Sequence, residues 1–228
     1  MNVLAFDTCF DACSVAAGRG LLSLSPAIAA FHESMSSGQA ERLVPMISEA
    51  LSATGMSVLD LDRIAVTRGP GTFTGTRIAT AAARALALVA NTPIVPVSTL
   101  HLMAMNPSLH VIGASELVIA TDARRGEVYI ERFDPRTLAS RAPAAALAID
   151  EAVQQLPERD VVAAGSGAEA LAKAANATGR SIRAIEPHLL PDSVDVLFRA
   201  IHMRHFNSVQ AVYLRPPDAK PQINAVIA

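Results

Sequence analysis

The stretch with the most chemical promise is Arg68-Gly69-Pro70-Gly71-Thr72-Phe73-Thr74-Gly75-Thr76-Arg77. It lies between an apolar run that reads as a strand and an alanine-rich run that reads as a helix. Gly69, Gly71 and Gly75 permit positive φ and close approach of a ligand. Amides opening the following helix could face an anion, with Arg68 and Thr72 beside them. The Gly-Lys-Ser/Thr ending that carries a lysine to terminal phosphates is missing, and the spacing does not fit the dinucleotide fingerprint. A structural turn and an anion site both stand as readings. Asp7 and Asp122 raise the same question. Each ends an apolar run just before a turn, where a carboxylate can hold a metal–nucleotide complex or simply cap the turn.

The remaining reactive residue types are less suggestive. Cys9 and Cys13 read as two small buried side chains, with a disulfide or metal pair as the alternative. His202 and His205 lack an obvious third ligand and read as surface or packing residues. Ala164-Gly165-Ser166-Gly167-Ala168 has alanines where a nucleophile elbow needs glycines, so it reads as a tight turn.

Periodicity supplies the elements that must position these residues. Apolar runs predict strands at Val3–Thr8, Cys13–Ala17, Leu21–Ser25, Arg63–Thr67, Ile94–Val97, Val118–Asp122, Val128–Phe133 and Asp160–Ala164. Helices are predicted over the stripe of Leu43, Met46, Ile47, Ala50 and Leu51, and over Gly75–Ala90. Others are expected at Thr99–Met105 behind a Ser98 cap, Ile149–Leu156, Ala168–Ala177 and Pro191–His205. In the last of these, Val194, Leu197, Phe198 and Ile201 share a face. Asp7 and Asp122 hold equivalent places in two successive series, which predicts two similar α/β lobes, residues 1–110 and 111–228, with the boundary between Pro107 and Ser115. Hydrophobic residues make up 51% of the 228 and charged residues 18%, the composition of a globular chain. The formal charge is −2, from 19 basic and 21 acidic residues, so no basic excess points to unaided nucleic-acid binding. No secretory signal or membrane span is read, and a reducing cytoplasmic protein is expected.

Several segments together resemble the TsaB family. These are Phe6-Asp7-Thr8 with Ala12-Cys13-Ser14-Val15-Ala16, the loop Arg68–Arg77, and Ile94-Val95-Pro96-Val97-Ser98-Thr99-Leu100. Thr121-Asp122-Ala123-Arg124-Arg125-Gly126-Glu127-Val128-Tyr129 and Tyr213-Leu214-Arg215-Pro216-Pro217 complete the series, in the family's order along nearly the whole chain. The resemblance implies an actin-like, sugar-kinase-like (ASKHA) fold of duplicated ribonuclease H-like lobes, the second reduced. It implies a non-catalytic subunit that pairs with a TsaD-like threonylcarbamoyl transferase, joined by a TsaE-like ATPase, and that meets tRNA only through that complex. No cofactor of its own is implied, and ATP with magnesium would belong to the assembled complex.

The catalytic relative holds metal through two histidines four apart on a helix, a spacing that puts both on one face. The corresponding places here are Thr99 and Met103, poor ligands for such an ion, and His101 is out of register. Many family members also carry a histidine before the first helix, where this chain has Ser37-Gly38-Gln39-Ala40-Glu41. The stripe of Leu43, Met46 and Ile47, together with Ala79, Ala82, Ala83 and Leu86, reads either as core or as a surface for the equivalent helices of the partner. A self-dimer would use that surface when the partner is absent. The competing reading is a metal- or ATP-dependent enzyme, an ATPase or glycoprotease-like metallopeptidase, using Asp7 and Asp122.

Overall fold

The computed structural model describes residues 1–109 and 113–215. Every residue of β1 (Val3–Asp7) is buried, as befits a central strand covered on both faces. Beside it run β2 (Ala12–Arg19) and β3 (Ala27–Ser34), antiparallel, and on its other side β4 (Arg63–Thr67) and β5 (Ile94–Val97), parallel. Helices α1 (Gln39–Ala53) and α2 (Phe73–Ala90) make the crossovers. After α3 (Thr99–Ala104), the pattern repeats with β6 (Glu116–Asp122), β7 (Glu127–Phe133), β8 (Ser140–Ala148), α4 (Ile149–Gln154), β9 (Val161–Ala164), α5 (Ala168–Ala177) and β10 (Ile182–Ile185). The sheet orders are β3-β2-β1-β4-β5 and, read in the same sense, β8-β7-β6-β9-β10. First strand central, two antiparallel neighbours on one side, two parallel on the other: the chain folds the same way twice.

The outer face of the first sheet packs Leu4 and Phe6 against Leu43, Met46 and Ile47 of α1 and Ala79 and Ala83 of α2. Its inner face packs Val3, Ala5 and Val95 against Val196, Leu197, Ala200 and Ile201 of the segment containing α6 (Val194–Leu197). The second sheet is covered by α4 and α5. A separate cluster joins the lobes, with Leu100, Met103 and Ala104 of α3 set against Leu117, Ile119, Phe133, Val162 and Ala164.

Several expectations need correcting. Leu21–Ser25 is not a strand. Gly18 remains in β2 opposite Ile28, the chain turns at Gly20 with φ +65°, and Leu22 and Leu24 are exposed in the connection before β3. The helix expected from Pro191 to His205 shrinks to α6 and one 3₁₀ turn at Arg199–Ile201, and Phe198 points to solvent at 48% exposure. The second lobe keeps all five strands. Its reduction falls on the helices, which have 6 and 10 residues in α4 and α5 against 15 and 18 in α1 and α2. The division at residue 110 also fails for the end of the chain, because α6 returns to fill the open face of the first sheet and Phe206 pairs with Ile94 of β5. Part of the expected boundary segment, residues 110–112, lies outside the described residues, as do Pro216 and Pro217.

Candidate functional site

Asp7 closes β1 in complete burial. Its Oδ1 accepts a hydrogen bond from the Thr67 hydroxyl at 2.5 Å, and both carboxylate oxygens lie 3.2 Å from the Cys9 amide that donates to them. Burial pushes its pKa up to about 6, against the lowering effect of those donors. Cys9 is sealed beside it, its Sγ 3.3 Å from the Thr67 hydroxyl, and burial pushes the thiol up to about 12. Neither cysteine is in a disulfide. Such a thiol stays protonated and inert.

The glycine-rich loop closes over this point. The Thr72 amide donates to the Cys9 carbonyl at 2.7 Å, and the Thr8 hydroxyl donates to the Gly75 carbonyl at 2.7 Å. A Cβ on Gly71 would sit 2.4 Å from the Cys9 carbonyl oxygen, and one on Gly75 only 1.9 Å from that of Thr8. The close approach that Gly71 and Gly75 allow is thus to the protein's own backbone. The Thr72 hydroxyl caps α2 by accepting from the Gly75 amide at 3.0 Å. Gly69 lies beneath Val212, and the Arg68 main chain bonds both Val97 and Val212, leaving its side chain exposed. These contacts make the loop a tightly packed turn.

Asp122 ends β6 as Asp7 ends β1, but in the open. Its Oδ1 accepts from the Arg124 amide at 2.7 Å, and its own amide donates to the Ser166 hydroxyl. It caps the turn that begins β7, and Ser166 belongs to that turn support. The two equivalent acids thus differ in setting, with Asp7 sealed and Asp122 exposed.

Helix α3 begins where Ser98 caps it. The Ser98 hydroxyl accepts from the His101 amide at 3.4 Å and also donates to Glu131 of β7 at 2.7 Å, tying the lobes together. Glu131 is nearly buried, and that burial raises its pKa. Thr99 is 0% and Met103 1% exposed. Met103 belongs to the packing between the lobes, and the Thr99 hydroxyl is buried without a hydrogen-bond partner among the described residues. His101 lies against the Phe133 ring, centroids 5.2 Å apart, and burial lowers its pKa, so neutral imidazole is favoured there. Among the described residues, no group of three or more His, Cys, Asp or Glu side chains is placed to share a metal ion. His202 and His205 are both exposed.

The candidate partner residues separate by burial. Leu43, Met46, Ile47, Ala79 and Ala83 are at most 4% exposed, and Ala82 and Leu86 pack partly against the same core. The five buried ones hold the lobe together, while Ala82 and Leu86 keep part of their surface outward. The outward residues on these helices are Val44 at 65%, Leu88 at 85% and Val89 at 64%, with Ala81 and Ala85 exposed between them. Periodicity had found the right helices and their inner faces.

Sequence reasoning did not anticipate the strap that follows Phe206. Val209 is buried in the first lobe's core, and the Val212 amide donates to the Arg68 carbonyl at 2.7 Å. The Tyr213 ring lies 5.4 Å from that of Phe73. The Arg215 guanidinium crosses to the second lobe, donating to the Ala123 carbonyl at 2.6 Å and pairing with Glu127. No local periodicity marks such a segment. Its anchors are single side chains far from their partners in the chain, 88 residues for Arg215 and Glu127 and 136 for Tyr213 and Arg77.

Two sheets of one strand order, each central strand ending in an acid and the pair joined by a packed helix, define an actin-like α/β protein. Among solved structures, YeaZ from Pseudomonas aeruginosa is 29% identical, with a TM-score of 0.75 over 93% of this chain and 99% of that one. A second P. aeruginosa protein, described as uncharacterized with similarity to peptidase YeaZ, gives 29% and 0.77 over 94% and 99%. The tRNA threonylcarbamoyladenosine biosynthesis protein TsaB of Escherichia coli is 40% identical over 129 residues, 57% of this chain and 53% of the relative. This chain thus spans about half the length of that curated relative in the match. A family model for TsaD, tRNA N6-adenosine threonylcarbamoyltransferase, matches residues 33–212. The chain belongs to that family, in its TsaB (YeaZ) branch.

No helix among the described residues is long and apolar enough to cross a membrane.

Proposed function

We propose that this chain is a non-catalytic accessory subunit in the formation of threonylcarbamoyladenosine in tRNA, binding a TsaD-like transferase and holding it in its active state. The observation that carries the reading is the burial of Thr99 and Met103. Where a metal-holding relative would offer two imidazoles, this chain offers a hydroxyl and a thioether, both committed to the interior. The burial of Asp7 and the packing of the glycine loop on its own backbone support the same view.

The docking face on this reading is the outer side of α1 and α2. Val44, Leu88 and Val89 are large apolar side chains left exposed, and Ala81 and Ala85 let a second helix come close. A partner of the same fold would present matching helices, and a second copy of this chain would occupy the face when the partner is absent. Activation requires tighter binding to the partner's active state than to its inactive one. A TsaE-like ATPase, with ATP and magnesium, acts at the assembled complex, and tRNA is engaged there.

Reconstitution with a matched TsaD-like subunit tests this. The purified chain alone shows no threonylcarbamoyl transfer, and the partner becomes active only on mixing. Leu88→Asp abolishes stimulation while leaving the chain folded. Unaided transfer by this chain, or full stimulation by a folded Leu88→Asp variant, refutes the proposal.

A further inference from the structure

The strap from Phe206 to Arg215 lays out a strip of arginines and aromatic rings along one edge of the molecule. The Arg84 Nε donates to the Val209 carbonyl at 2.8 Å, and the Arg77 Nε donates to the Tyr213 hydroxyl at 3.1 Å. The Arg77 guanidinium lies 3.7 Å above the Phe73 ring. Arg77 and Arg84 are seven residues apart on α2, roughly 10 Å along its axis. Arg68 lies beside Val212, and Arg124 beside the far anchor, where Arg215 reaches the Arg124 carbonyl. All four of these arginines are exposed, as are Phe73 at 48% and Tyr213 at 42%. The side chains of Arg68 and Arg124 make no hydrogen bond or ion pair among the described residues. Two carboxylates share the strip: Glu127, paired with Arg215, and Asp122, whose Oδ1 takes the Arg124 amide. The strip is thus basic in a chain whose formal charge is −2.

From this arrangement we infer that the chain itself contacts RNA, with Arg68, Arg77, Arg84 and Arg124 on the phosphate backbone and the Phe73 and Tyr213 rings against unpaired bases. The inference rests on the reading of the chain as part of a tRNA-modifying complex. Arginines at successive intervals suit a polyphosphate chain. Exposed rings held in place by a guanidinium provide a stacking surface, which single-stranded RNA uses and an acidic polypeptide does not need. The helix wheel of α2 sets Phe73, Arg77 and Arg84 on one edge of its exposed arc, beside and not within the row of Ala81, Ala85 and Leu88. The two faces adjoin, with Arg77 next to Ala81 and Arg84 next to Leu88 at i,i+4 spacing.

The test is anisotropy of a labelled unmodified tRNA transcript with the chain and its TsaD-like partner, across 50 to about 200 mM salt. Arg68→Gln with Arg124→Gln removes two charges whose side chains hold no partner among the described residues. Binding should weaken roughly tenfold, with the salt slope falling by about 1 to 2. Phe73→Ala should weaken binding with the slope unchanged. Unaltered affinity and slope in the arginine double variant overturn the inference. So does competition by polyglutamate equal to that by polyuridylate, which would mark the strip as a surface for an acidic protein. Transfer measured at saturating tRNA separates the two proposals. If the wild-type chain fails to stimulate its partner, the accessory-subunit reading falls, whereas stimulation with the double variant binding RNA normally removes the strip alone.

Discussion

Asp7 is where side-chain chemistry and folding energy meet. Its native pKa of about 6 lies above the ordinary 3.8, so the folded state holds the proton more tightly than the unfolded chain does. The stabilisation is complete below the ordinary value and lost as pH rises through about 6, for a fully buried group an effect on the order of 3 kcal/mol. Asp195, also raised to about 6 by partial burial and by Asp192, pulls the same way. Urea titrations between pH 4 and 8 should show stability declining across this window. Asp7→Asn should flatten the decline and exceed wild type above pH 6; an unchanged slope refutes this. Gly75 gives a harder test of the loop. Its alanine variant must push Thr8 aside and should lose about 3 kcal/mol or more, while Gly126→Ala, with open space around it, loses only about 1 kcal/mol from its positive φ. Equal losses at the two positions would mean that the loop is not packed as described. The types of these residues were legible in the sequence, but their roles were not. A glycine that spares its own backbone and a glycine that admits a phosphate look identical until the neighbouring atom is known.

Among the elements, those with strong periodicity and clear ends were readable. Strand β4 and helix α2 are where the apolar pattern puts them, with Asn91 in the left-handed conformation at the helix end. Replacing Asn91 by glycine should stabilise the chain by roughly 0.5 kcal/mol, seen as a small rise in melting temperature, because φ 50° suits glycine better. Strand β8 was missed because Ser140–Ala148 is mostly alanine around Pro143, with no alternation to read. Only an edge position tolerates such a strand. α6 was overextended, since its apolar residues wrap onto the first sheet through a break and not along one continuous helix face. The most consequential element is α3, six residues long. Met103→Ala should cost about 2 to 5 kcal/mol by leaving a cavity between the sheets. A loss under about 1 kcal/mol would show that the lobes are not joined there.

At the scale of the molecule, the repeat was legible from the order of the elements and the matching places of Asp7 and Asp122, but the cross-lobe ties were not, because they depend on pairs far apart in the chain. Arg215→Ala should raise amide exchange in residues 123–127 and along the strap while leaving β1 and β4 protected, and uniform exchange would refute a local tie. The Ser98–Glu131 bond and the α3 cluster tell a larger story. Proteins built from paired lobes commonly swing them around a ligand, which requires a wet, separable seam. Here the seam is built around a buried apolar cluster. Parting it would expose Leu100, Met103, Leu117 and Phe133, at about 2 kcal/mol for each side chain. This cluster therefore holds the two halves together as one packed unit, and on the proposed role the chain acts on its partner through an unchanging outline, as a doorstop acts on a door that swings elsewhere.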